Sequence, residues 1–312
     1  MLRILGKYLC NIINQILKML KIQDSTAQTV REVIVKEIAG TLSLQYNSEF
    51  NIESRIHEYR KAIKRCRALL RLLKNFIGEN VFETIDKKLS MAAGDMAQRR
   101  DATVNLRSFI NLSLAYSHTI TENIRQSITN ELTEKVKKAY ETEIIDPVKT
   151  EESILIFLKT ILDELNEIRI KPATHSDFST AIEKSYFKAA NLFTDAKNSL
   201  ETEVIHKFRK FTKHLLFQLK FTPDLDKTYL NPLITKLDNI SDFLGKEHDL
   251  AVLDKTLATN TNLLKEDLLK VHLIIVKERA RLQKETFRLA EEVYSEENVR
   301  NFKVNIQAPV SN

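Results

Sequence analysis

Residues 56–67 read IHEYRKAIKRCR, and residues 205–216 read IHKFRKFTKHLL. Isoleucine, histidine, an aromatic ring, arginine and two lysines recur at the same offsets. They are Ile56, His57, Tyr59, Arg60, Lys61 and Lys64 in the first copy and Ile205, His206, Phe208, Arg209, Lys210 and Lys213 in the second. A second pair of stretches follows, RRDATV at 99–104 and EHDLAV at 247–252. His57 precedes Asp101 by 44 residues, and His206 precedes Asp249 by 43. Two separated matches at nearly equal intervals point to an internal duplication.

Working outward, apolar residues keep a period near 3.6 along almost the whole chain. The pattern predicts helices over 2–22, 27–46, 51–77, 79–92, 96–116, 119–144, 151–168, 177–198, 201–221, 227–258 and 261–296. Asn51 and Asp24-Ser25 read as N-caps, Gly78 as a helix stop, and Asp146-Pro147 and Lys171-Pro172 as breaks. The expected fold is all-α: two four-helix bundles related by a pseudo-two-fold, with an extra N-terminal helix. The units are an amphipathic helix at 1–26, a first half at 27–146, a second half at 147–297 and a loose tail at 298–312.

Composition agrees. Five glycines in 312 residues leave little for glycine-rich phosphate loops or tight turns. Cys10 and Cys66 form no metal-type or redox-type pair, which suits a reducing, cytoplasmic setting. No run of 18 apolar residues exists to span a membrane. Leu2, Leu5, Leu9, Ile12, Ile13, Ile16 and Leu20 make the first segment a candidate for docking on the body, on a second copy or partner, or on a lipid surface. Ser25-Thr26-Ala27 resembles an export cleavage site, although Lys7, Asn11, Asn14 and Gln15 interrupt the apolar run.

The charge is focused. His57, Arg60, Lys64, Arg67 and Arg71 follow one another at i, i+3, i+7, i+10 and i+14. At 100° per residue they fill an arc of about 80°, roughly 21 Å long. Segment 51–77 holds eight Lys/Arg and two acids, Glu53 and Glu58, a net of +6 that equals the charge of the entire chain. In the second copy His206, Arg209, Lys213 and Lys220 keep the offsets, while Leu216 takes the i+10 place. Like charges stacked on each turn destabilise a bare helix by about 0.2–0.5 kcal/mol per pair. Such a line without interspersed acids suits an external polyanion. Neighbouring cations depress a histidine pKa and a bound polyanion raises it, so binding is expected to take up protons. Asp101 and Asp249 read as supports that orient stripe cations, flanked by Arg99, Arg100 and His248.

With both H-x-x-R-x-x-x-K stripes and both aspartate motifs in hand, the chain resembles the CHAD family, the conserved histidine α-helical domain. IHEYRKAIKRCRALLRLLK (56–74), RRDATV (99–104), IHKFRKFTK (205–213) and LGKEHDLAVL (244–253) carry the resemblance. It implies two four-helix bundles with a basic surface between them, binding of inorganic polyphosphate and association with polyphosphate granules. Its histidines and basic residues fall on His57, Arg60, Lys64, Arg67, His206, Arg209 and Lys213. Lys61, Arg71, Lys210 and Lys220 extend the set. No metal, cofactor or catalytic residue is implied.

Three other readings compete. A nucleic-acid binder would share the charge focus, yet the chain has no tryptophan, few aromatics and no nucleic-acid motif. A metal-dependent phosphohydrolase could use His248-Asp249, but the first copy has Arg100-Asp101 there, and no HExxH, P-loop or CxxC occurs. A purely structural stripe would be neutralised by the protein's own carboxylates.

Overall fold

The computed structural model describes residues 26–94, 97–141, 147–222, 225–259 and 264–307; at 26, 53, 94, 97–100, 140–141, 147–150 and 307 only the backbone is described. The helix expected over 2–22, the Asp24-Ser25 cap and the side chains of Arg99 and Arg100 lie outside what is described. Among the described residues the protein is all-helical, with no strand.

The helices run Thr26–Ser43 (α1), Ile52–Ile77 (α2), Glu79–Gly94 (α3), Ala97–Ala115 (α4), Glu122–Glu141 (α5), Pro147–Glu167 (α6), His175–Ser199 (α7), Thr202–Phe221 (α8), Lys227–Ala258 (α9), Lys265–Val293 (α10) and Glu296–Gln307 (α11). Local chemistry sets several ends. The Asn51 side chain accepts the Ser54 N–H at the start of α2, and Gly78 stops the helix at φ 88, a conformation open to glycine. Pro147 occupies the first position of α6, where its missing N–H costs nothing. Thr174 and Asp177 cap one another's backbone at the start of α7.

Two apolar cores form. The larger gathers α1, α2, α3, α6, α7, α8 and the first part of α9, with Ile38, Ile63, Leu70, Leu158, Tyr186 and Phe208 all buried. The smaller joins α4 and α5 to the second part of α9 and the first part of α10, through Phe109, Ile128, Leu253 and Ile275. Helix α6, placed by the sequence boundary in the second half, packs on α1, α2 and α3. Both cores therefore draw helices from both sides of residue 146.

The tail expectation is corrected. Residues 296–307 form α11, whose Phe302 and Ile306 are each 1% exposed and pack on α7. Phe302 stacks on Tyr186 with centroids 4.1 Å apart, and the Ser179 hydroxyl donates to the Ile306 carbonyl at 2.6 Å. Phe302 and Ile306, four residues apart, are its fully buried side chains, with Val299 half-buried beside them, so its periodicity is faint without the surface it meets.

Candidate functional site

Helix α2 divides its side chains by function. Ile63, Leu70, Leu73 and Tyr59 face the core, as does Phe208 at the matching place in α8. Two cations away from the stripe are tied down. Arg55 reaches both Glu151 oxygens, at 2.5 and 2.7 Å, and Tyr59 donates to the same carboxylate at 2.7 Å. Arg65 pairs with Glu37 of α1.

The stripe is treated differently. His57 and Lys61 are exposed, and Arg60, Lys64, Arg67 and Arg71 are half-buried. Arg60 donates to the Ala93 carbonyl at 3.3 Å, and Lys61 pairs with Glu58 at 2.9 Å. Arg67 makes a two-pronged contact with Asp86 of α3 at 2.8 and 2.9 Å; Arg71 stands 3.6 Å from the same carboxylate. A carboxylate from the next helix thus supplies part of the counter-charge that the stripe's own helix lacks. Lys220 has its own, Asp238 of α9, at 2.6 Å.

Helix α8 packs directly on α2. Arg65 lies over the Phe221 ring at 5.9 Å, and Gln218 donates to the Ala68 carbonyl at 3.0 Å. Further along α2, Arg67 and Arg71 act electrostatically on Lys210 and His214. Rising numbers on one helix meet falling numbers on the other, so the two run antiparallel. His57 and His206 therefore stand towards opposite ends of the pair, and the stripes meet in the middle.

That middle is the most charged part of the site. Arg67, Arg71 and Lys210 surround one carboxylate, Asp86, with His214 among them. Burial, then Arg71 and Arg67, lowers the Lys210 ammonium. Burial, then Arg71, Lys210 and Arg67, pushes His214 down to about 3, so the ring is neutral. Burial would raise the Asp86 carboxyl, but the Arg67 hydrogen bond and the charges of Arg67 and Arg71 hold it below the ordinary range. Three cations against one anion leave a surplus of two positive charges in a partly desolvated place.

The second cluster lies between α8 and α9. The His206 and His248 rings stand 4.7 Å apart. The Arg209 guanidinium passes 3.7 Å from where a side chain on Gly245 would begin, an ordinary van der Waals distance, so it lies against α9. Burial, then Arg209, depresses His206. Glu247 is 2% exposed and accepts from Arg279 at 2.9 and 2.7 Å and from Gln283 at 3.1 Å, which fixes α9 beside His248. Lys213 and Asp249 are half-buried, and Asp101 is exposed on α4. Among the described residues no three His, Cys, Asp or Glu side chains gather closely enough to hold a metal ion.

The family model for the CHAD domain matches residues 43–258, more than half of the chain. The chain belongs to the CHAD family. Among solved structures, PptA from Streptomyces chartreusis is similar at a TM-score of 0.63 and 14% identity, over 86% of this chain and 100% of that one. This likeness supports the fold. No curated protein matches the chain.

Within this CHAD fold, sequence reading missed Asp86 and His214. Asp86 comes from a helix between the motifs, and no spacing rule connects it to them. His214 holds the place in the second copy that Arg65 holds in the first, yet His214 enters the central cluster while Arg65 turns to Glu37. Leu216 counted as a lost cation. It is 2% exposed, so its place belongs to helix packing and a charge there would not reach the surface.

Proposed function

We propose that this CHAD protein binds inorganic polyphosphate without turning it over, through the cations of α2 and α8. The observation that carries the reading is the central surplus: Arg67, Arg71 and Lys210 gathered around a single carboxylate, Asp86. Partial desolvation of Lys210 and Arg71 strengthens their attraction for an external anion. Arginine forks and a lysine point charge suit phosphate oxygens.

From the centre the chain of phosphates would run outward, past Lys64, Lys61, Arg60 and His57 of α2 with Lys220 of α8 on one side, and past Lys213, Arg209 and His206 on the other. Arg99, Arg100, Asp101, His248 and Asp249 would support its margins. The match of Ala68 with residue 217 under an offset of 149 supports a pseudo-two-fold at the helix crossing, since Ala68 meets Gln218 there. A repeated site of this kind fits a repeating ligand. Cations around His206 and His248 disfavour a divalent metal, which speaks against a His-Asp phosphohydrolase. Association with cytoplasmic polyphosphate granules is what such binding would produce.

The test is isothermal titration of the full chain with long-chain polyphosphate at fixed salt. Arg71→Gln/Lys210→Gln is expected to raise Kd by about tenfold or more, as loss of about 1.4 kcal/mol or more requires. Single-stranded RNA should compete weakly. Equal binding by wild type and variant would remove the centre from the reading; RNA winning at equal phosphate would favour nucleic acid. Measurable phosphate release would favour an enzyme.

A further inference from the structure

Helix α10 lies beyond residue 258, outside the residues that the CHAD model matches. Its inner face is buried through Val271, Ile274, Ile275 and Leu282. Its outer face is also apolar. Leu269, Leu273 and Val276 are 57%, 59% and 45% exposed, and Ala280 is exposed one turn on. The separations are four, three and four residues. At 100° per residue this is a strip about 60° wide, opposite the core-facing side. A strip that narrow, at that spacing, is the seam of a coiled coil.

The positions beside the seam are uniform in sign. Lys270, Lys277 and Lys284 repeat every seven residues along one edge; Lys265, His272 and Arg279 do so along the other. Arg279 is turned inward on Glu247, and His272 holds Asp254 at 2.8 Å. Lys270 contacts Asp267 at 3.5 Å in the open, where such a pair contributes little. Lys277 lies 5.8 Å over the Tyr116 ring. Within 269–280 no acid occupies a flanking position; Glu266 precedes the seam, and Glu291, paired with Lys197, follows Lys284 on the lysine edge. The seam begins beside a cleft of about 280 Å³, lined by Leu257, Ala258, Leu268 and Leu269 with Lys265 and the His272–Asp254 pair at its sides.

We propose that this face of α10 docks an amphipathic helix of another protein, with an apolar seam and acidic flanks. Charge decides the occupant. A second copy of α10 would set lysines against lysines, and like charges at these positions oppose pairing. Residues 1–25 carry Arg3, Lys7, Lys18 and Lys21 against one acid, Asp24, and meet the same objection. An anionic lipid surface would accept the lysines, but the seam has no aromatic side chain and is only four residues long, a poor anchor. Glutamates facing Lys270, Lys277 and Lys284 would set register, and one large side chain could fill the cleft.

The probe is a fluorescent synthetic peptide of four heptads, with Ile and Leu at the seam and Glu at every flanking position. A second peptide carries Lys at the flanks. The full-length wild type should bind the acidic peptide saturably, and the Lys peptide about tenfold more weakly or worse. Leu269→Glu/Leu273→Glu should lose about tenfold or more in affinity for the acidic peptide. Both side chains are exposed, so circular dichroism should be unchanged. Arg71→Gln/Lys210→Gln should bind the acidic peptide as wild type does, separating this face from the polyphosphate site. Equal peptide binding by the Leu269→Glu/Leu273→Glu variant overturns the proposal. So does sedimentation as a dimer that this variant dissolves. Capture of the wild type, but not this variant, on phosphatidylglycerol vesicles without peptide binding overturns it in favour of a lipid surface.

Discussion

His214 is an imidazole held where a proton is opposed from several directions. It is enclosed by protein, and Arg71, Lys210 and Arg67 repel a charge there while only Asp86 favours one. Its Nδ1 has no hydrogen-bond partner among the described residues. In the unfolded chain the same ring titrates near 6.5; in the folded chain it titrates at about 3. Between those values the unfolded state binds more protons, so stability rises with pH and is lost as pH falls from about 6.5 towards 3. The slope from this one group is at most about 1.4 kcal/mol per pH unit. His214→Leu removes the titration, so its urea midpoint should fall less steeply between pH 6.5 and 4.5 than the wild-type midpoint. Parallel curves would place the acid sensitivity elsewhere. His206 differs in its surroundings, because its ring sits 4.7 Å from that of His248. Burial, Arg209 and Lys210 depress it, while Glu203 and Glu247 oppose that. A bound polyanion would raise it, so polyphosphate binding should take up protons and strengthen as pH falls through neutrality. Titration heats in buffers of different ionisation enthalpy measure that uptake, and His206→Gln should reduce it.

Between elements, the join of α2 to α6 shows how the stripe helix is held without using its stripe. Arg55 and Tyr59 meet Glu151 across 96 and 92 residues of sequence. Burial would raise the Glu151 carboxyl, but the hydrogen bonds from Arg55 and Tyr59 hold it low. Glu151→Gln leaves the Arg55 charge without its partner and should cost about 3 kcal/mol. Tyr59→Phe removes one hydrogen bond and should cost about 1 kcal/mol. Urea denaturation measures both, and the double variant should fall short of their sum because the groups share one carboxylate. A sum that is fully additive would mean the three do not act together. Most helices were legible at this scale, because each buries one broad face and periodicity records it. Asn51 and Gly78 announced their roles for the same local reasons. What sequence did not show depends on contact between elements: α11 exists through Phe302 on Tyr186, Leu216 is packing at a crossing, and Asp86 joins the stripe only because α3 folds back on α2.

Across the whole molecule, the antiparallel pairing of α2 and α8 changes what two matching motifs mean. Side by side and parallel, they would have made one pocket with two histidines. Antiparallel, they make a track with His57 towards one end, His206 towards the other, and Arg67, Arg71 and Lys210 between. The ligand's length should then decide which residues it feels. Tripolyphosphate is short enough to be satisfied by the central cluster, whereas a long chain also reaches the ends. Arg71→Gln/Lys210→Gln should weaken both ligands. His57→Ala/Arg60→Ala should weaken the long chain by about tenfold and leave tripolyphosphate nearly unchanged. Salt provides an independent reading of the same geometry. Each phosphate neutralised by a protein cation adds to the fall of log K with log salt, as it does for nucleic-acid backbones. The long chain should therefore show the steeper slope, and the end variant should lower that slope towards the tripolyphosphate value. If the end variant weakened both ligands equally, the two motifs would have to act on one compact site, and the track would be wrong even with polyphosphate as the ligand.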